Sequence, residues 1–289
     1  MNNFNKVLLA TDLSTASGKL PDCLFELCPN TGTEIVLVHV LDDDEDADPH
    51  SSSYKQSQAK LKRYEEDLHR AGYEQVSTMM PAGEPIEQIN NIAEELNVDL
   101  ALLASHGKGF IRSTLLGSTT FDLARMAKYP LFIDKIYADK NEHRPLLKNI
   151  MVPTDFSKES LTALNVIRNL REHIEEVVFV HVIEKSRNAD DLHEQMQKAE
   201  MKLNELADEV KIFGVRGTTR IAKGTPSKQL QRIAVEIDAS MIVIAKTGAG
   251  LVKGLPLGST AQNLALNTNR PLLMLPETDD IDLNITIYS

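Results

Sequence analysis

A short glycine-containing turn near the C-terminus has the residue types needed to bind an anion. The segment reads AKTGAGLVKGLPLGST, in which nine residues separate Gly248 from Gly258, and Ser259 and Thr260 follow directly. Glycine at the start of such a loop allows positive φ and close approach of the backbone to a ligand. The helix predicted to begin at the Gly-Ser-Thr sequence presents unpaired N–H groups and a partial positive charge. This combination favours binding of a phosphate group.

The same turn occurs earlier in the chain as ASHGKGFIRSTLLGST. Gly107 is again followed by nine residues and then by Gly117, Ser118 and Thr119. Identical spacing in two copies favours phosphate binding over the alternative, a tight loop and helix cap with no ligand. The basic residues of the two loops could neutralise a bound phosphate or simply be solvated. They are Lys108, Arg112, Lys246 and Lys253.

The turn belongs to a longer repeat that spans the chain. KVLLATDLS returns as NIMVPTDFS, which pairs Asp12 with Asp155, and IVLVHVLD returns as VVFVHVIE, which pairs His39 with His181. Five such blocks recur in the same order at nearly constant separation. Repeats of this kind indicate a duplicated structural unit. We predict two tandem domains, residues 1–144 and 145–289, joined near residues 141–147.

Each copy alternates short apolar runs with longer amphipathic stretches. The runs at 7–10, 35–41, 100–104 and 131–133 are almost continuously apolar, which indicates strands of a parallel sheet covered on both faces. We therefore predict two doubly wound, Rossmann-like α/β domains of about five parallel strands each. The first helix of copy one is interrupted by Gly18 and Pro21. The other predicted helices are 54–71, 85–97, 118–128, 158–172, 190–209, 226–237 and 259–267.

Ligands of doubly wound sheets bind at the carboxyl ends of the strands, where several repeated blocks end. Asp12 and Asp155 follow the first strand of their copies and could contact a ligand or, alternatively, cap the next helix. His39 and His181 lie within apolar strands. No paired nucleophile accompanies them, so we interpret them as hydrogen-bonded core histidines rather than catalytic residues.

Composition limits the classes of partner. The 289 residues carry a formal net charge of −11, and residues 1–144 contain 14 Lys and Arg against 23 Asp and Glu. This acidic balance argues against nucleic acid as a partner. No apolar run approaches the ~20 residues of a membrane helix, and no secretory leader is evident. We expect a cytoplasmic protein in which Cys23 and Cys28 are reduced, partly buried thiols.

The blocks together resemble the universal stress protein family in its tandem form. The resemblance rests on VPTDFS after the first strand, VHVI at the second, and Gly-x9-Gly-Ser before the last helix. Each half of the chain resembles one family domain, so the two together cover nearly the whole chain. The resemblance implies a five-stranded Rossmann-like fold, similar to that of adenine nucleotide alpha hydrolases. It also implies that ATP, AMP or ADP binds, with or without Mg2+. The positions that match the ATP-binding branch are Asp12, Val40, Gly107, Gly117, Ser118, Thr119, Asp155, Val182, Gly248, Gly258, Ser259 and Thr260.

One departure from the family pattern concerns both copies. The first glycine of the loop motif is replaced by Ala104 and Ala245, and crowding by the added methyl could cost about 1–3 kcal/mol of binding energy. The resemblance favours a stress-response nucleotide-binding module over a non-binding interaction scaffold. Because no Walker A sequence and no evident general base occur, brisk ATP hydrolysis is not expected.

The resemblance also implies a dimer-like assembly. Members of the family pair their last strands, so PLFIDK and PLLMLP could pair within one chain as a pseudo-dimer. The tail DLNITIYS alternates like an edge strand and could support a homodimer. We identify no protein partner from the sequence.

Overall fold

The computed structural model describes residues 4–14, 17–41, 48–105, 116–135, 145–248 and 257–277. Strands and helices alternate along these ranges. The strands are β1 (Lys6–Ala10), β2 (Glu34–Val38), β3 (Val76–Met79), β4 (Leu100–Ala104), β5 (Leu131–Asp134), β6 (Asn149–Pro153), β7 (Glu176–Ile183), β8 (Arg216–Lys223), β9 (Met241–Ala245) and β10 (Leu272–Leu275). The α-helices are α1 (Leu20–Leu27), α2 (Ser52–Arg70), α3 (Pro85–Glu95), α4 (Ser118–Met126), α5 (Lys158–Leu161), α6 (Ala163–Leu170), α7 (Ala189–Ile212), α8 (Pro226–Glu236) and α9 (Ser259–Asn267).

All the described strands belong to one sheet, in the order β3-β2-β1-β4-β5-β10-β9-β6-β7-β8. Each half is parallel and doubly wound, as predicted, and the strand order reverses between β1 and β4 and again between β6 and β9. The two halves meet where β5 and β10 pair antiparallel, with Phe132 opposite Leu273. The expected pairing of the last strands within one chain is therefore confirmed.

The apolar strands are buried because helices cover both faces of the sheet. One core cluster lies on each face, and each cluster contains side chains from both halves. Phe132 and Leu273 belong to the cluster on one face, and Ile133 and Leu272 to the cluster on the other. The hydrophobic core thus continues across the β5–β10 seam, and the two halves share it.

Two strands and one helix were hard to predict from the sequence, and the predicted helix 158–172 forms as two helices, α5 and α6. The outer strands β3 and β8 carry polar, partly exposed residues, so a search for apolar runs does not find them. Helix α1 forms despite Gly18 and Pro21. A 3₁₀ turn over Ser17–Lys19 precedes the helix, and Pro21 lies in its first turn, where no intrahelical N–H bond is required.

The remaining expectations concern the thiols, membranes and the tail. Cys23 and Cys28 are free and fully buried rather than partly buried. Within the described ranges, every helix is too short or too polar to traverse a bilayer. The tail at 282–289, on which the homodimer expectation depends, lies outside the described residues.

Candidate ligand-binding site

The Thr-Asp sequence after the first strand of each half forms the same tight turn. In the second half, Thr154 Oγ1 accepts a hydrogen bond from the Phe156 N–H (2.9 Å), and Asp155 Oδ1 accepts one from the Ser157 N–H (3.0 Å). Phe156 adopts a left-handed conformation with φ of 63°. His181 on the neighbouring strand donates from Nδ1 to the Thr154 carbonyl (2.8 Å). The turn holds the Asp155 carboxylate at the carboxyl end of the sheet.

The first half repeats these bonds. Leu13, with φ of 58°, replaces Phe156, and His39 Nδ1 donates to the Thr11 carbonyl over 2.9 Å. The interpretation as a hydrogen-bonded core histidine is confirmed for His39, which is 5% exposed and follows β2; His181 makes the same hydrogen bond but is half-buried. The helix-capping alternative for the aspartates is wrong, because the N-cap residues are Lys19 for α1 and Ser157 for α5. Asp12 precedes the N-cap of α1 by seven residues, and Asp155 precedes the N-cap of α5 by two.

The Gly-Ser-Thr turns open α4 and α9, as predicted. Gly117 and Gly258 are the N-cap residues, and glycine has no side chain with which to cap its helix. The Gly258 N–H donates to the Lys246 carbonyl over 2.7 Å, which closes the loop onto the end of β9. The first-turn N–H groups of α9 are therefore available to a ligand beside the exposed Ser259 and half-buried Thr260.

A cavity of about 430 Å³ lies at the carboxyl ends of β6, β7 and β9, at the point where the strand order of the second half reverses. All six residues predicted for the second copy line it. Further lining residues come from α8 and the three strand ends. The full set is Pro153, Thr154, Asp155, Ser160, Val180, His181, Val182, Glu184, Pro226, Leu230, Ile244, Ala245, Lys246, Thr247, Gly248, Leu257, Gly258, Ser259, Thr260 and Ala261.

Gly248 allows the close approach of the Asp155 carboxylate. A Cβ at position 248 would lie well inside contact distance of Asp155 Oδ2. Gly248 does not adopt a positive φ, so the first of the two predicted reasons for glycine does not apply; the close neighbour is the Asp155 side chain, and approach of the backbone to a ligand stays a prediction. Gly248 and the aspartate turn thereby lie together in the wall of the cavity.

The rest of the cavity divides into an apolar part and a polar part. Val180, Val182, Ile244 and Leu230 supply branched aliphatic surface, while the start of α9 supplies N–H and hydroxyl groups. Ala245, at the altered motif position, is 7% exposed and also borders the cavity. Such a site can bind a molecule with a flat apolar end, hydroxyl groups that donate to a carboxylate, and an anionic group at the helix start.

Lys246 does not have the role considered from the sequence. It is 5% exposed, so it is not a solvated surface residue. Its ammonium donates to the carbonyls of Arg125 (3.0 Å) and Ala127 (2.6 Å) at the end of α4, rather than pointing to the start of α9. Burial lowers the pKa of Lys246 to about 8, although nearby Glu277 acts in the opposite direction.

In the first half, Asp12, Val40 and the Gly117-Ser118-Thr119 turn occupy the corresponding positions. Asp12 and Val40 follow β1 and β2, and the Gly117 N–H donates to the Ser105 carbonyl over 2.7 Å. Ser118 is exposed and Thr119 half-buried, as in the second copy. The expectations for Gly107, Lys108, Arg112 and Lys253 lie outside the described residues.

Several cavity residues, among them Thr154, His181 and Glu184, were given no ligand-binding role by the sequence analysis. Thr154 was part of the repeated Thr-Asp pair but received no role, and His181 was considered only as a core residue. Glu184 lies one residue beyond the end of β7. The repeated HV(I/L)(E/D) block carried a signal for the last two, because residues at and after the end of a parallel strand face the ligand crevice.

Comparisons with known proteins agree on one family. A model described as the universal stress protein family matches residues 3–135 and again residues 147–276. A universal stress protein of Methanocaldococcus jannaschii is 28% identical over 143 residues, which covers 45% of this chain and 82% of the relative. A second universal stress protein of the same organism is 22% identical over 154 residues, which cover 45% of this chain and 95% of that relative.

Solved structures extend the similarity to the two-domain arrangement. A universal stress protein from Archaeoglobus fulgidus is 25% identical, covers 96% of this chain and 98% of its own, and has a TM-score of 0.71. A putative universal stress protein from Pseudomonas aeruginosa has a TM-score of 0.71 and covers 95% of this chain and 94% of its own. Because it is only 16% identical, it supports the fold alone. With both halves matched by the family model, the chain belongs to the universal stress protein family as a tandem member.

Proposed function

We propose that this protein binds an adenine nucleotide, ATP or AMP, in the cavity of its second half and acts as a regulatory module in a stress response. Bound nucleotide would be held rather than turned over rapidly. The observation that carries the proposal is the convergence of Asp155, Val182, Gly248 and the start of α9 on one cavity of about 430 Å³.

The cavity fits the parts of the ligand in order. The aliphatic side chains of Val180, Val182 and Ile244 can pack against a purine ring. The Asp155 carboxylate can accept hydrogen bonds from ribose hydroxyls. The start of α9 and the hydroxyls of Ser259 and Thr260 can bind the phosphates. No group of three His, Cys, Asp or Glu side chains suited to a metal occurs among the described residues, so Mg2+ would enter with the nucleotide.

Occupancy can be tested directly. Purified protein is denatured and its supernatant analysed by mass spectrometry for adenine nucleotides, and nucleotide-free protein is then titrated with ATP and with AMP in a calorimeter. We expect saturable binding in the micromolar range, about −8 kcal/mol. GTP serves as the control ligand with matched charge and a different base.

The outcome also decides the alternative function. If neither nucleotide binds up to millimolar concentration, the Ala245 methyl has closed the pocket and the protein is an interaction scaffold. Ala245→Gly would then be expected to restore binding, because it restores the motif glycine. Release of pyrophosphate or inorganic phosphate at a steady rate would contradict the non-catalytic part of the proposal.

A further inference from the structure

A buried lysine joins the cavity of the second half to a helix of the first half. Lys246 lies between Ala245, the last residue of β9, and Thr247, and both of these neighbours line the cavity. Its side chain leaves the cavity wall and crosses the seam between the halves. The ammonium donates to the carbonyls of Arg125 and Ala127, at the C-terminal end of α4.

The backbone of Lys246 is held as firmly as its side chain. Its N–H donates to the Leu275 carbonyl (2.8 Å), and its own carbonyl accepts the Gly258 N–H (2.7 Å). The residue that closes the candidate phosphate loop of the second half therefore also caps the end of α4. At its other end, α4 begins with the Gly117 turn of the first half.

A second lysine makes the reciprocal contact. Lys135, which follows β5, is 6% exposed and donates from Nζ to the carbonyl of Ala265 in the last turns of α9. It lies at the same seam but contacts the other helix, and it does not line the cavity of the second half. Lys135 is therefore a matched control for Lys246.

We propose that Lys246 couples the two halves, so that a nucleotide in the cavity of the second half stabilises α4 of the first half. This inference rests on the proposed function. A polyanion beside residues 245–248 favours the charged form of the nearby Lys246 amine, which stays on the Arg125 and Ala127 carbonyls, and an ammonium at a helix C-terminus stabilises the helix. By linkage, an anion bound at the start of α4 strengthens binding in the second half by the same factor.

Hydrogen exchange of α4 amides tests this coupling. All proteins carry Asp12→Ala, so that ATP binds in the second half. Exchange is compared between the protein with both lysines unchanged, the Lys246→Met variant and the Lys135→Met variant. We expect ATP to slow exchange in α4 about two- to fivefold when Lys246 is present, the range for one charge at a helix end. Lys135→Met should retain this response, and Lys246→Met should lose it.

A second exchange measurement, made without nucleotide, tests the coupling independently of the proposed function. Gly248→Ala perturbs the cavity wall without nucleotide, and we expect it to change α4 exchange in the Lys246 chain but not in the Lys246→Met chain. If ATP protects no part of the second half, the proposed function fails, and the Gly248→Ala comparison alone decides the coupling. Where ATP does protect the second half, equal α4 responses to ATP with and without Lys246 overturn the inference; where it does not, equal α4 responses to Gly248→Ala overturn it.

Discussion

The contact between Gly248 and Asp155 makes a sharp prediction about the site. In Gly248→Ala, the new Cβ overlaps Asp155 Oδ2, so the carboxylate must rotate away from its present position. The carboxylate is the movable end of a short side chain on the surface, and its other oxygen is bonded within its own turn to the Ser157 N–H and hydroxyl. We therefore expect a change in the free energy of unfolding below about 1 kcal/mol.

The loss in nucleotide affinity should be much larger than the loss in stability. A hydrogen bond to a charged group contributes about 1.5–3 kcal/mol, and displacement of the carboxylate removes its bond to the ligand. This free energy corresponds to a roughly 10- to 150-fold weaker Kd. Calorimetric titration with ATP measures the affinity, and urea denaturation of the same sample measures the stability.

A double-mutant cycle identifies the cause. If Gly248→Ala acts by displacing Asp155, the double variant Gly248→Ala/Asp155→Ala should bind no more weakly than Asp155→Ala alone. Additive losses would show that the methyl acts on the ligand itself. Affinity equal to that of the natural chain in Gly248→Ala would refute the assignment of the carboxylate to the site.

Three further predictions concern the fold and its interface. Gly217→Ala in β8 should lower the free energy of unfolding by about 1–3 kcal/mol in urea, because a Cβ there overlaps the Ala207 backbone of α7; a change within 0.5 kcal/mol would contradict this packing. Phe132→Ala should cost about 3–5 kcal/mol and keep a single calorimetric transition, since both halves share the core; two separate transitions would refute the shared core. Burial lowers the pKa of Lys135 to about 7, so between that value and about 10 the unfolded chain holds a proton that the folded chain has lost. Stability should therefore rise with pH over this window, by at most about 1.4 kcal/mol per unit, and Lys135→Met should flatten the slope in urea denaturation at pH 7, 8 and 9.

Much of the fold could be predicted from local patterns. Continuous apolar runs such as 100–104 indicate buried parallel strands, because the sheet needs cover on both faces. The nearly constant separation of Asp12 from Asp155 (143 residues) and of Gly117 from Gly258 (141 residues) indicated two copies with one layout. The polar edge strands β3 and β8 could not be found in this way, since backbone pairing to one neighbour defines them more than side-chain burial does.

The candidate site was predictable to a similar degree. The repeated blocks placed Asp155 and Val182 at the carboxyl ends of strands and Ser259 at the start of a helix, and the structure brings all three to one cavity. The contact that favours glycine at 248 was not predicted from the sequence, which suggested positive φ or close approach to a ligand. The contact of Gly248 with Asp155 depends on how two loops approach each other across β6 and β9.

The sequence by itself determined the class of the fold, its duplication and the residue types that surround the cavity. These features follow from periodicity and from repetition, which are local properties of the chain. Only the tertiary structure decided what Lys246 does, because its partners Arg125 and Ala127 lie 121 and 119 residues away and come into reach through the antiparallel pairing of β5 with β10. A side chain that bonds to backbone carbonyls requires no particular residue type in its partner, so no pattern of residues records the contact.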